Sequence, residues 1–173
     1  MRVYWAANCN YNGAGNYHIN VRRNYRNIAQ KFCSAYYYTY DHNPRALYNY
    51  YTPTSIFMYI DEELTGFNAV YNKMMHYDMY KFTHHYINVG GMPVGNNSIL
   101  ITVNGTMSIN DSNVHYGFTE TILLKRVYGS KFFVLNTILK LDRPVPFVDS
   151  IDMDDDMDID IFWKFVYSIF DNI

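Results

Sequence analysis

Two periods divide this chain, and the change from one to the other fixes what it can fold into. From Tyr25 to Tyr38 apolar side chains fall at Ile28, Ala29, Phe32, Cys33, Ala35 and Tyr36, the spacing of one face of an amphipathic helix. Beyond Phe82 the pattern becomes β-rich, with runs at about 82–89, 98–107, 115–126 and 131–141 separated by the turn signals Gly90-Gly91, Asn110-Asp111 and Gly129-Ser130. Such runs read as antiparallel strands joined by hairpins. A helical stripe has to be covered, and a strand meander supplies the cover. The class is therefore α+β, with helices on one side of a curved sheet.

The stretch between supplies the other helices. His42-Asn43-Pro44 stops one helix and starts another, because proline fits a first helical turn, and Ala46, Leu47, Tyr50 and Tyr51 continue at helical spacing. Thr52-Pro53-Thr54-Ser55 breaks that helix. A short strand, Ile56-Phe57-Met58-Tyr59-Ile60, ends at Asp61-Glu62-Glu63, and residues 66–76 return to helical character. Four segments result: an N-terminal extension (1–24), a domain (25–142), an acidic linker (143–158) and an amphipathic C-terminal helix (159–173).

Size and charge narrow the class further. A chain of 173 residues suits one domain, and 49% apolar against 17% charged residues excludes disorder throughout. No apolar run approaches the ~20 residues of a membrane-spanning helix. Residues 1–142 carry a formal charge of +4 and residues 143–173 one of −6, so the tail is a separate electrostatic object. Cys9 and Cys33 are too few for a disulfide framework or zinc site, and the start lacks a secretory core. A reducing compartment, cytoplasm or nucleus, is expected.

Four stretches then carry a resemblance. They are Phe32-Cys33-Ser34-Ala35-Tyr36-Tyr37, Leu47 through Ser55, Val103-Asn104-Gly105, and Phe118-Thr119-Glu120-Thr121-Ile122-Leu123-Leu124 followed by Phe132 through Leu139. In order and spacing they resemble the nuclear transport factor 2-like family, and most closely the N-terminal domain of the RasGAP-SH3-binding stress-granule proteins. The resemblance covers about residues 25–142. It implies three helices packed in a strongly bent antiparallel sheet shaped as a cone. Where the family ends on Asn-Asp-(Ile/Met)-Phe-Arg, this chain has Asn136-Thr137-Ile138-Leu139-Lys140.

What the resemblance implies about function is protein recognition without catalysis. Carried over by position, a groove for phenylalanine-containing (FG-type) peptides falls on Ile28, Phe32, Tyr50 and Leu139. A homodimer or heterodimer through the sheet falls on Thr102, Asn104, Thr119 and Thr121. Nucleocytoplasmic transport or stress-granule and ribonucleoprotein assembly would be the setting, with the small subunit of a heterodimeric mRNA export receptor as an alternative. The loop Ile109-Asn110-Asp111-Ser112-Asn113 has one acid where the family's carrier of the Ran GTPase has two, which weakens Ran import. Asp111 is expected to form a turn. Independently of the family, Ile28 and Phe32 lie one helical turn apart and present adjacent apolar side chains.

The cone also hosts isomerases and dehydratases, so acid–base groups matter. His84-His85, Asp41-His42 and Tyr86 are available, but neighbouring strand histidines point to opposite faces and no pair converges by spacing. The histidines and cysteines show no metal-ligand spacing, and no cofactor or metal is expected. Arg22-Arg23-Asn24-Tyr25-Arg26 is a small basic patch, suited to weak or indirect RNA contact. In the tail, Ile159, Phe162, Trp163, Val166, Ile169, Phe170 and Ile173 make an apolar stripe that needs a cover, in cis or on a partner.

Overall fold

The computed structural model describes residues 20–145 apart from 60, 61, 77, 78, 80, 129 and 130. Most of the extension, the linker beyond Val145 and the C-terminal stripe lie outside the described residues. Helix α1 spans Val21–His42, starting before the expected boundary at 25 because Asn20 caps it, its side chain accepting from the Arg23 amide at 3.1 Å. Of the stripe read from sequence, Ile28, Ala29, Phe32, Cys33 and Tyr36 are buried and Ala35 is half-buried, while Tyr37 and Tyr40 join the buried face.

A 3-10 helix, Pro44–Tyr50, takes the place of the expected second α-helix. Seven residues, the proline included, ahead of a strand leave room for little more than tight turns. Strands follow as β1 (Tyr51–Tyr59) and β2 (Glu62–Thr65), then helix α2 (Phe67–His76), then β3 (Phe82–Val94), β4 (Ser98–Ile109), β5 (His115–Tyr128) and β6 (Lys131–Val145). The sheet order is β2-β1-β6-β5-β4-β3. The last four strands form the expected antiparallel meander, but β1 pairs with β6 in parallel, so the curved sheet is mixed.

Three local expectations differ from the structure. Thr52-Pro53-Thr54-Ser55 does not separate the helix from the strand; β1 already begins at Tyr51, and the stretch bulges within it, where register slips between Tyr51 and Ile56. Ser55 Oγ anchors the bulge by donating to the Val134 carbonyl at 2.6 Å and accepting from the Thr52 amide at 2.9 Å. Gly90-Gly91 is not a turn but lies inside β3, opposite Thr102 and Ile101. A Cβ on Gly91 would stand 3.3 Å from the Ala29 Cβ, so the glycine lets α1 sit close on β3. Glu62-Glu63, taken as the end of a strand, begins β2.

Asn110-Asp111 does turn the chain, both residues adopting positive φ (54° and 60°), and Lys81 Nζ pairs with Asp111 at 2.5 Å. Gly129-Ser130 falls among the undescribed positions, between strands that meet at Tyr128 and Lys131. Alternation along the central strands sorts the sheet into two faces. Ile99, Ile101, Val103, Ile122, Leu124 and Val134 point into the core at 0% exposure, and their neighbours point outward.

Candidate functional site

The outward positions of β4 and β5 form aligned cross-strand pairs. Thr102 stands opposite Thr121 and Asn104 opposite Thr119, and Thr119 Oγ1 donates to Asn104 Oδ1 at 2.9 Å. The four residues expected at an interface are thus gathered in two adjacent rungs. Apolar neighbours extend the patch: Leu100 faces Leu123, Met92 on β3 flanks Leu100, and Ile138 on β6 flanks Thr121. Met92 is 59% and Ile138 43% exposed. Lys125 and Lys140, both exposed, stand on the same face at either end of the patch.

The expected peptide slot is closed. Ile28, Phe32, Tyr50 and Leu139 are 4%, 4%, 5% and 7% exposed, packed as core. The Phe32 and Tyr50 rings meet edge to face with centroids 5.8 Å apart. The Tyr50 hydroxyl donates to the Ala35 carbonyl at 3.2 Å and shares a hydrogen bond with Thr39 Oγ1 at 3.1 Å, which ties the 3-10 helix to α1. Leu139 lines an interior cavity to which the other three do not contribute. An amphipathic stripe looks the same in sequence whether its rings pack inward or line a groove, and here they pack.

Inside the cone sits a polar cluster that spacing alone did not reveal. Glu120, 4% exposed, accepts hydrogen bonds from Tyr37 at 2.6 Å, Thr137 at 2.9 Å and Tyr36 at 3.2 Å. The hydroxyls of Tyr36 and Tyr51 share a short hydrogen bond. Burial pushes the Glu120 carboxyl above its ordinary range, partly opposed by the Tyr37 and Thr137 hydrogen bonds, by the nearby His84 and by Tyr36. Alternation was the available signal: Phe118, Glu120, Ile122 and Leu124 share the inner face. Thr137 is buried and donates to Glu120.

Of the acid–base candidates, Asp41 and His84 do converge, although no spacing rule joins residues so far apart. His84 Nδ1 lies 2.5 Å from Asp41 Oδ1, and the His84 backbone amide donates to the same carboxylate. The His84 ring packs 4.7 Å from Tyr37. His85 points away, bonded to Ser108 at 3.1 Å and stacked on His115 at 4.3 Å. His42 stacks on Tyr38, and Tyr86 is 78% exposed, outside the cone. The cavity beside Glu120, lined by Tyr36, Tyr40, Tyr51, Tyr59, Thr137 and Leu139 among others, holds about 20 Å³, room for one water-sized guest. Among the described residues no three His, Cys, Asp or Glu side chains gather as a metal site, and no helix is long and apolar enough to cross a membrane.

A model of the nuclear transport factor 2 (NTF2) domain matches residues 28–141. The chain belongs to the nuclear transport factor 2 domain family. It is 25% identical over 114 residues to nuclear transport factor 2 of Neurospora crassa, covering 66% of this chain and 92% of the relative. Among solved structures, nuclear transport factor 2 from Cryptosporidium parvum superposes with TM-score 0.64 at 24% identity, covering 72% of this chain and all of that one. Yeast UBP3-associated protein BRE5 superposes at 0.55 with 23% identity, over 68% and 96%. The fold is also that of enzymes: hexachlorocyclohexane dehydrochlorinase LinA-type3 from Novosphingobium barchaimii superposes at 0.60 with 12% identity, over 77% and 97%. Family membership fixes the cone, and function has to be argued from the site.

Proposed function

We propose that this domain is a non-enzymatic protein-interaction module that pairs with a second copy through the outer face of β3–β6, serving nucleocytoplasmic transport or ribonucleoprotein assembly. The observation that carries the reading is the patch itself. Thr102, Thr121, Asn104 and Thr119 form adjacent rungs bordered by Leu100, Leu123, Met92 and Ile138. A sheet face of small polar and apolar side chains, repeated on a second copy, is self-complementary across a two-fold axis. The names of the relatives, a nuclear transport factor and a UBP3-associated protein, are consistent with a binding role. Phenylalanine-motif binding at Ile28, Phe32, Tyr50 and Leu139 is not part of the proposal, because those side chains are sealed.

The interior argues against the alternative of an isomerase or dehydratase. Glu120 already accepts from Tyr36, Tyr37 and Thr137, and the cavity beside it measures about 20 Å³, well below the roughly 300 Å³ at which ligand pockets begin. Sedimentation of the full chain over a concentration series tests the interface. A monomer–dimer equilibrium shifted at least tenfold toward monomer by Thr121→Arg, with circular dichroism unchanged, supports it. Self-association indifferent to Thr121→Arg overturns it, and a chain that pairs only with a different domain moves the reading to a heterodimer.

A further inference from the structure

We propose that the C-terminal segment 159–173 packs in cis over this same outer sheet face, so that the chain regulates its own pairing; this rests on the interface reading above. The face offers an apolar centre at Leu100, Leu123, Met92 and Ile138, with exposed Lys125 and Lys140 at its ends. The segment offers the complement in both respects. Its apolar residues Phe162, Trp163, Val166, Ile169 and Phe170 recur at helical spacing, and six aspartates fall between Asp152 and Asp160, immediately before and at its start. The charge of −6 on residues 143–173 meets a +4 remainder.

Reach permits the contact. β6 is described to Val145, and residues 146–158 can span up to about 43 Å when extended. Returning from Val145 to the level of Ile138 needs about 23 Å along β6. A fifteen-residue helix is about 22 Å long, against about 14 Å across the four strands β3–β6. Left uncovered, the apolar residues of 159–173 and the apolar centre of the sheet face would both stand in water. Covering each with the other removes both from water, and a second copy must displace the segment before it can pair.

Two readouts on the full chain test this and separate it from the interface reading. Phe162→Asp combined with Phe170→Asp removes the stripe without touching the domain. The dissociation constant for self-association is expected to fall at least tenfold in that variant, and an equal constant overturns the regulation. In a Trp5→Phe background, Trp163 fluorescence reports docking directly: blue-shifted emission is expected, moving red on Leu123→Arg. Should Leu123→Arg fail to fold, Lys125→Glu with Lys140→Glu, at exposed positions, is expected to give the same red shift. Emission already water-like, or indifferent to changes on the face, overturns docking. A chain that never self-associates, yet whose Trp163 responds to these changes, supports the cis contact and sinks the pairing.

Discussion

The hydroxyl of Tyr37 lies 2.6 Å from Glu120 Oε2, tying the C-terminal part of α1 to the middle of β5 through the core. With Tyr36 and Thr137 on the same carboxylate, one acidic side chain holds a helix and two strands together. Its protonation therefore couples to the stability of the whole cone. Burial raises the Glu120 pKa above its unfolded value, so its contribution to stability is complete below the unfolded pKa of about 4.5 and is lost as pH rises through the folded value. Glu120→Gln keeps an acceptor without the charge. Thermal melts are expected to show a higher midpoint than wild type at neutral pH and a flatter pH dependence above 4.5. Glu120→Leu strands the Tyr37 and Thr137 hydroxyls, Tyr36 keeping its bond to Tyr51, and is expected to cost about 1–3 kcal/mol for each donor left unsatisfied. Parallel pH curves for wild type and Glu120→Gln would count against this account of the cluster.

Gly105 is a second point of tight fit. A Cβ there would fall 2.0 Å from the Tyr86 carbonyl oxygen and 2.8 Å from the Phe118 ring, beside the bulge where β3 slips register between His84 and Ile87. Backbone cannot yield as a flexible side chain does. Gly105→Ala is expected to destabilise by about 1–3 kcal/mol or more, measured by urea denaturation. A midpoint unchanged within error would show that the bulge is not fixed by this contact.

Cys33 is 1% exposed, and burial, reinforced by the Glu120 charge, pushes its thiol up to about 12. In a Cys9→Ser chain, a disulfide reagent at pH 8 is expected to find no reactive thiol until denaturant is added. Rapid modification of the native chain would mean that α1 opens far more readily than its packing implies.

Phe32 packs against Tyr36 at 5.4 Å and Tyr50 at 5.8 Å. Phe32→Ala is expected to cost about 3–5 kcal/mol, read from chemical denaturation, because it opens a cavity in the core. A cost near zero would restore the idea of an open slot at this position.

The sequence carried the architecture further than the site, for identifiable reasons. The stripe of α1 and the alternation of β4 and β5 are direct consequences of burial, and both are visible as periods. Gly90-Gly91 misled because a missing Cβ serves a turn and a close helix approach equally well, and only the position of Ala29 decides between them. β2 was too short and too acidic to register. His84 and Asp41 meet through the docking of α1 on β3, which no local pattern encodes. Thr102, Asn104, Thr119 and Thr121 came together because cross-strand register follows from the hairpin between their strands. Ile28, Phe32, Tyr50 and Leu139 are all buried, and a buried apolar stripe has the same spacing as a groove lining.

The central claim is that the outer face of β3–β6 is where this chain meets its partner. The most direct measurement is intermolecular nuclear Overhauser contacts in a mixture of isotope-labelled and unlabelled full-length protein, made with the Phe162→Asp and Phe170→Asp changes that free the face. Contacts from the methyl groups of Leu100, Leu123 and Ile138 to the unlabelled copy are predicted. Contacts confined to β2, to the exposed side of α1 or to any surface lacking these three residues would contradict it.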